Sequence, residues 1–532
     1  MSFSKPNRSA ATITTNRVDP APISGICVTC LDGCEGPCEI GRSALKGREV
    51  IYPQPFGKVI AGAEKDYPID LSHFNIQGTC VGAVGMEADP DKAVFPAVDC
   101  TTKLGANGTI VMDFPVFTGA VGSTEIARLN WEEMAVGAAI SGIMVIVGEN
   151  VCGMDPQLEV RHGRVVKSPE MDRRINTFKQ WHNGKGGIIV QANVEDTRLG
   201  AIEYVIDKHD VEILELKWGQ GAKDIGGEVK LPSLERALQL KERNYLVLPD
   251  PREQETQEAF QMGGITEFER HSRLGMVTEG DFYKEVDRLR HLGAKYVTLK
   301  TGAYRPADLA RAIKFSSMAK IDLLTIDGAG GGTGMSPWRM MNEWGIPTVH
   351  LECLAYQMCE HLRKQGAYVP PIAIAGGLSM EDHIFKALAL GAPYVKAICL
   401  GRAIMTAAMV GKTHGKLMAI KMEKQRKSVE EGFERLFAVG AHLRKQFGKD
   451  FGKIPAGAIG IYSYIDRLRQ GLQQLMAGAR KFALKYISRD DLVALTREAA
   501  EISGIPYVME SDREEVDRIL GIPRIRHLAE SN

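Results

Sequence analysis

Between residues 100 and 412, short unbroken apolar runs alternate with amphipathic stretches. The runs are TIVMDF (109–114), IMVIVG (143–148), GIIVQA (187–192), VEILELK (211–217), YVTLK (296–300), IDLLTID (321–327), PIAIAGG (371–377) and YVKAICLG (394–401). Most are continuous rather than alternating, as strands buried on both faces are. Helical spacing lies between them, at Ser123–Ser141, Asp281–Leu292, Pro306–Ala319 and Met380–Leu390. Eight parallel strands with intervening helices predict an α/β fold, a (β/α)8 TIM barrel over residues 101–412. A doubly wound open sheet is the alternative.

The flanks read differently. Residues 1–24 are Ser, Thr, Asn and Pro without period, which predicts a flexible arm. Residues 25–100 hold a cysteine-rich segment and a Gly/Pro-rich connector. From 413 to 532 the pattern turns helical. Leu417, Ile420, Phe433, Leu436, Phe437 and Leu443 recur at helix spacing, and Ser488–Asp491 and Gly504 predict a helix start and end. This region is expected to pack on the barrel or to form a contact in a homo-oligomer.

Composition narrows the partners. Across 532 residues, 66 basic side chains balance 66 acidic ones, so no field favours nucleic acid or an anionic membrane. The longest apolar stretch, Met134–Val147, is interrupted by Gly137, Ser141 and Gly142, too short and broken for a membrane span. The N-terminus lacks the apolar run of a secretory signal. A soluble, cytoplasmic protein is expected.

Four of the ten cysteines, Cys27, Cys30, Cys34 and Cys38, fall within twelve residues as C-x2-C-x3-C-x3-C. In a reducing compartment this spacing points to a metal rather than to disulfides. A [4Fe–4S] cluster suits four thiolates in one glycine-rich loop, whose amides can approach the sulfurs. Zinc and metal-free redox thiols are the alternatives. The string GCEGPCEIG resembles cluster-binding segments of nickel carbon-monoxide dehydrogenases. Cys80 and Cys100 read as spare ligands or, more simply, as inert buried thiols, and the lone His73 as structural.

Strand ends carry the other candidates. The last two barrel runs end in Gly376-Gly377 and Gly401-Arg402. Amides freed by glycine, with a forked cation, suit a phosphate at the place where barrels bind one. The string Gly328–Gly334 does not match G-x-G-x-x-G and reads as a loop on which a flat ligand lies. Lys217 and Lys300 close the fourth and fifth runs and suit the negative charge of a reduced flavin.

These motifs resemble the FMN-binding synthase domain of glutamate synthases. The resemblance rests on LELKWGQGAKDIGGEVKLP (214–232), LLTIDGAGGGTGMSP (323–337), IAIAGGLSMEDHIFKALALGA (372–392) and, more weakly, VEDTRLG (194–200). It implies FMN held by Gly331, Gly332, Thr333, Gly334, Gly376, Gly377, Gly401 and Arg402. It implies Lys300, Lys217 and Gln220 as catalytic groups, and Arg198 and Lys223 as ligands of a small dicarboxylate. The implied reaction reduces the imine of 2-oxoglutarate and ammonia, with electrons passing from a [4Fe–4S] cluster to FMN.

The chain departs from that pattern. It opens Met1-Ser2 instead of on a catalytic Cys, which implies ammonia from solution or from a separate amidotransferase subunit. No Cys follows Cys399, so the N-terminal quartet would replace the family's own cluster motif and accept electrons from a ferredoxin or a reductase subunit. GENVCGMDP departs from the family's wording, with Glu149 and Asn150 where ligand contacts would fall. An N-methylglutamate-synthase-like subunit, an electron-transfer flavoprotein subunit and a zinc-bearing non-redox barrel are the competing readings.

Overall fold

The computed structural model describes residues 30, 32–36, 38–85 and 90–522. The expected arm, residues 1–24, and Cys27 lie outside them.

Eight parallel strands form the centre: β1 (Val116–Thr118), β2 (Met144–Val147), β3 (Gly187–Ala192), β4 (Ile213–Lys217), β5 (Tyr296–Thr301), β6 (Leu323–Asp327), β7 (Ile372–Ala375) and β8 (Val395–Leu400). Each pairs with its sequence neighbour from β2 to β8, and β8 pairs with β1. The ring closes just past β1. The Val121 amide donates to the Ile146 carbonyl, the Gly148 amide donates to that of Val121, both at 3.0 Å, and the Ile146 amide donates to Thr118 Oγ1 at 3.1 Å. Closure excludes the open sheet; the fold is a (β/α)8 barrel.

Outside lie α1 (Trp131–Ile140), α2 (Pro169–Trp181), α3 (Ala201–His209), α4 (Glu279–His291), α5 (Pro306–Met318), α6 (Thr348–Lys364), α7 (Glu381–Leu390) and α8 (Arg402–Lys424). The strands are buried on both faces, β3 and β5 at every position, which explains their unbroken apolar runs.

One strand differs from the expectation. The run 109–114 is not a barrel strand: Ile110–Met112 pairs antiparallel with Thr102–Leu104. Leu104, Ile110 and Met112 pack against Met144, Ile213, Tyr296 and Leu323, at the starts of four barrel strands, so this hairpin plugs the barrel floor. Pro115, lacking an N–H, separates it from the true first strand, three residues long.

The C-terminal region packs on the barrel. Helix α9 (Ala456–Gly478) crosses α8 through glycines: a Cβ on Gly411 would fall 2.8 Å from the Ala456 carbonyl oxygen, and one on Gly460 2.7 Å from that of Ala407. Phe433 and Leu443 are buried, whereas Leu417 and Ile420 stay exposed on α8. Ser488 and Asp491 do form a capping box, but over a single 3-10 turn. Strand Leu492–Ala494 follows, antiparallel to Phe74–Ile76, and the expected helix starts later, at Arg497, capped by Thr496. Among the described residues no helix is long and apolar enough to cross a membrane.

Candidate functional site

The strand C-termini open on two adjoining cavities. The larger, about 600 Å³, has Lys300, Asp327 and Cys399 in its lining and a rim of Gly330–Thr333, Gly376-Gly377 and Gly401–Ala403. The smaller, about 160 Å³, shares Gln220, Thr333, Gly401 and Arg402 with it and reaches Glu149, Lys223, Glu228 and Arg270.

Lys300 is buried and pairs with Asp327 across β5 and β6, Nζ to Oδ2 3.0 Å. Burial alone would lower its pKa; the charge and hydrogen bond of Asp327, with Glu215 nearby, outweigh that and raise it, so the ammonium is permanent. Burial pushes the Cys399 thiol up to about 12, against the pull of Lys300, leaving it neutral. A fixed cation therefore stands in the lining of an otherwise glycine-rimmed cavity.

Opposite it lies the start of α8. Its N-cap, Gly401, has no side-chain cap, so the first amides of a 23-residue helix remain available at the cavity. A Cβ on Gly401 would meet nothing within 4 Å: the open space is the cavity itself. Gly376 and Gly377 hold φ of +114° and +83°, which L side chains rarely adopt. Arg402 makes no ion pair among the described residues, and its guanidinium lies against Gly62. These features fit the phosphate, ribityl chain and ring of a flavin mononucleotide.

The glycine loop after β6 serves the chain as well as a ligand. A Cβ on Gly332 would fall 2.0 Å from the Ala61 carbonyl oxygen, and one on Gly334 2.1 Å from that of Val59. The Ala63 amide donates to the Gly331 carbonyl at 3.1 Å. The connector thus crosses the loop, which was not visible in the sequence, and it contributes Ile60 to the smaller cavity.

Around that cavity the charges interlock. Lys217, the register partner of Lys300 on β4, donates to Glu149 at 2.7 Å and to Gln220 Oε1 at 3.1 Å. Burial raises the Glu149 pKa, but the Lys217 charge and hydrogen bond bring it down to about 2. Burial, with Lys217 and Arg270 nearby, lowers Lys223 to about 8, although Glu149 and Glu228 oppose the fall. Burial raises Asp196 to about 7, against the amides of Asn150 and Asn193. The Asn150 amide donates to both Asp196 oxygens, at 3.1 and 2.9 Å.

Arg198 is a correction. It stands exposed on the helix Val194–Leu199 and lines neither cavity. The helical turn directs Glu195, Asp196 and Leu199 inward and leaves Arg198 to solvent. A guanidinium that does line the smaller cavity, besides that of Arg402, is Arg270, missed in the sequence. It sits on the middle strand of an antiparallel sheet (Gly227–Leu231, Phe268–Ser272, Leu246–Leu248) inserted between β4 and α4. Burial alternates along FERHS with Arg270 inward, but Phe268 is its one apolar residue, so the sequence carries no such signal.

Of the cysteine quartet, Cys30 and Cys34 are exposed and Cys38 half-buried. The Gly36 amide donates to Cys34 Sγ at 3.3 Å and the Gly41 amide to Cys38 Sγ at 3.4 Å. Among the described residues, no three His, Cys, Asp or Glu side chains converge to hold a metal. The segment that follows is tied to the inserted sheet by Arg48–Glu269 (3.3 Å) and by Tyr52 donating to Glu228 at 2.6 Å. Cys100 is buried, its thiol raised by burial to about 12, while Cys80 is exposed. His73 Nδ1 lies 3.1 Å from Asp70 Oδ1 and belongs to a capping box, a structural role.

Residues 270–413 match the family model described as a conserved region in glutamate synthase. The glutamate synthase large subunit-like protein YerD of Bacillus subtilis is 35% identical over 116 residues, 21% of this chain and 21% of that protein. The match therefore spans about a fifth of the length of this relative. Two solved structures are more distant. The flavin-binding domain of baker's yeast flavocytochrome b2 is 11% identical, with TM-score 0.45 over 87% of this chain and 84% of that one. (S)-mandelate dehydrogenase, titled a monotopic membrane protein, is 13% identical, with TM-score 0.42 over 80% and 89%. Over residues 270–413 the barrel is thus similar to the conserved region of glutamate synthases.

Proposed function

We propose that the protein is an FMN- and iron–sulfur-dependent oxidoreductase that reduces the imine of a 2-oxo acid. The observation that carries this reading is the uncapped start of α8, with Gly376-Gly377 and Arg402, on a cavity whose lining holds the buried cation Lys300. These residues would hold FMN, which in its reduced form would supply the hydride chemistry an imine reduction needs. Lys300 supplies fixed positive charge beside the ring. Lys223 and Arg270 hold the acid's carboxylate, and ionised Glu149 faces a protonated imine nitrogen. The connector, crossing the Gly331–Gly334 loop, covers one edge of the smaller cavity with Ile60. The resemblance nominates 2-oxoglutarate as the acid to try first, with ammonia or methylamine as the amine.

The cysteine segment supports an iron–sulfur cluster as the place where electrons come in. Its amide-to-sulfur contacts are those a cluster's thiolates use, and its tether ends on the sheet that carries Arg270. A ferredoxin or reductase subunit would be the donor, and a separate amidotransferase subunit could supply ammonia.

Anaerobically purified protein is expected to show a flavin spectrum, bound iron and bound sulfide. Arg402→Ala should weaken FMN binding about 10- to 100-fold, the worth of one charged hydrogen bond. A colourless wild-type preparation that takes up no added FMN would remove the reading.

The charges also set a pH response. The Lys223 ammonium is lost as pH rises through about 8, and deprotonation of Asp196 near 7 adds negative charge behind it. Affinity for a 2-oxo acid should therefore fall between pH 6.5 and 9, measured by perturbation of the flavin spectrum. Lys223→Met should bind weakly throughout and lose the step at about 8; an unchanged profile would contradict the assignment.

A further inference from the structure

We infer that the smaller cavity selects a 2-oxo or 2-imino monocarboxylic acid with an apolar side chain, in place of a dicarboxylic one. This rests on the flavin reading for the position of the reacting carbon, and names what the rest of the ligand must be.

The two sides of the cavity differ in chemistry. Lys223, Glu228 and Arg270 come from the insertion after β4, with Glu149 from the loop after β2. Arg270 is 2% exposed and forms no ion pair among the described residues, and its Nε has no hydrogen-bond partner. Its Nη1 donates to Ser272 Oγ, and the rest of this buried guanidinium, beside the half-buried Lys223 ammonium, calls for an anion between them. It calls for a single one. Glu149 and Glu228 stand in the same lining, already paired with Lys217 at 2.7 Å and Lys230 at 3.0 Å, and Asp196 lies behind, so the free side of Lys223 and Arg270 is shared with carboxylates. A second carboxylate on this side would meet like charge.

The other side has little for a second carboxylate either. Val121, Ile126, Ala127 and Met134 come from the segment between β1 and the end of α1, and Met405 from the first turn of α8. In a ring of eight strands, the first and eighth lie across the mouth from the fourth. Of the polar groups on this side, Ser123 and Thr124 offer neutral hydroxyls only, and the Arg402 guanidinium lies against Gly62 at the phosphate-binding end. An ionised group placed among these apolar side chains would be desolvated without a partner. A branched alkyl or thioether chain would gain contacts there instead.

The test titrates the FMN-loaded wild-type protein with 4-methyl-2-oxopentanoate and with 2-oxoglutarate. Binding is read by calorimetry and by perturbation of the flavin spectrum. The apolar acid should bind about tenfold tighter or more, the discrimination a hydrophobic pocket provides. Ile126 is half-buried, so Ile126→Lys places a cation on the apolar side at modest structural risk, and should shift the preference toward 2-oxoglutarate by a similar factor. The wild-type comparison decides the matter even if that variant does not fold. Tighter binding of 2-oxoglutarate by a flavin-containing protein overturns the inference and leaves the proposed function standing. Absence of binding by either acid overturns both the inference and the 2-oxo-acid reading, whereas absence of flavin defeats the cofactor assignment on its own.

Discussion

Gly376→Ala is expected to cost the protein most of its flavin and to lower its melting temperature. Gly376 holds φ +114°, where an alanine alone is strained by about 1–3 kcal/mol. The added Cβ would also fall 2.4 Å from the Gly328 carbonyl oxygen and 2.5 Å from Thr348 Oγ1. Neither neighbour yields easily. Gly328 is backbone at the end of β6, and Thr348 Oγ1 lies 2.8 and 3.1 Å from the carbonyl oxygens of Gly376 and Ala329, sharing its proton between the two loops. Relief must therefore come from moving the phosphate loop itself. Gly401→Ala is the matched control, because its Cβ meets no protein atom within 4 Å and its φ of −87° is outside the left-handed region. That variant should melt like the wild type and bind flavin more weakly, which separates damage to the fold from damage to the ligand site. Flavin content after gel filtration and thermal melts measure both. Full flavin retention by Gly376→Ala would show that this loop does not hold the phosphate.

Lys300→Met should destabilise the barrel by about 3–5 kcal/mol, the cost of leaving one partner of a buried ion pair alone. The side chains of Lys300 and Asp327 are 6% and 14% exposed, so water cannot compensate the stranded carboxylate. Lys300→Met combined with Asp327→Asn should recover most of that stability, since both charges leave together. It should not recover the cation beside the flavin, so the bound flavin should become harder to reduce. Denaturant melts and a redox titration read the two effects separately. A double variant with wild-type reduction behaviour would show that Lys300 is a structural cation only.

The barrel was legible because burial on both faces writes long apolar runs, and β2 to β8 fall where those runs lie. The first strand was not. TIVMDF and PVFT are both apolar, and only the packing against Met144, Ile213, Tyr296 and Leu323 shows which one plugs the floor and which joins the ring. The glycine pairs and Lys300 were readable for a related reason, since they sit at strand ends, whose direction the barrel topology fixes. Arg270 was not, because it lies in an insertion whose short strands pair only with each other. Arg198 misled because a short helix matching a family segment says nothing about which of its faces is buried.

By itself the sequence determined the alternating α/β architecture, the glycine-rich strand ends and the clustered cysteines, all of which follow from local periodicity and spacing. Tertiary structure alone decided that the connector crosses the Gly331–Gly334 loop, that Lys300 pairs with Asp327, that the ring closes just past β1, and that Arg270 lines the smaller cavity while Arg198 faces solvent. The reason is physical. Strand burial and turn geometry are set by neighbours a few residues away, while ion pairing and cavity lining depend on which segments, tens or hundreds of residues apart, are brought within a few ångströms.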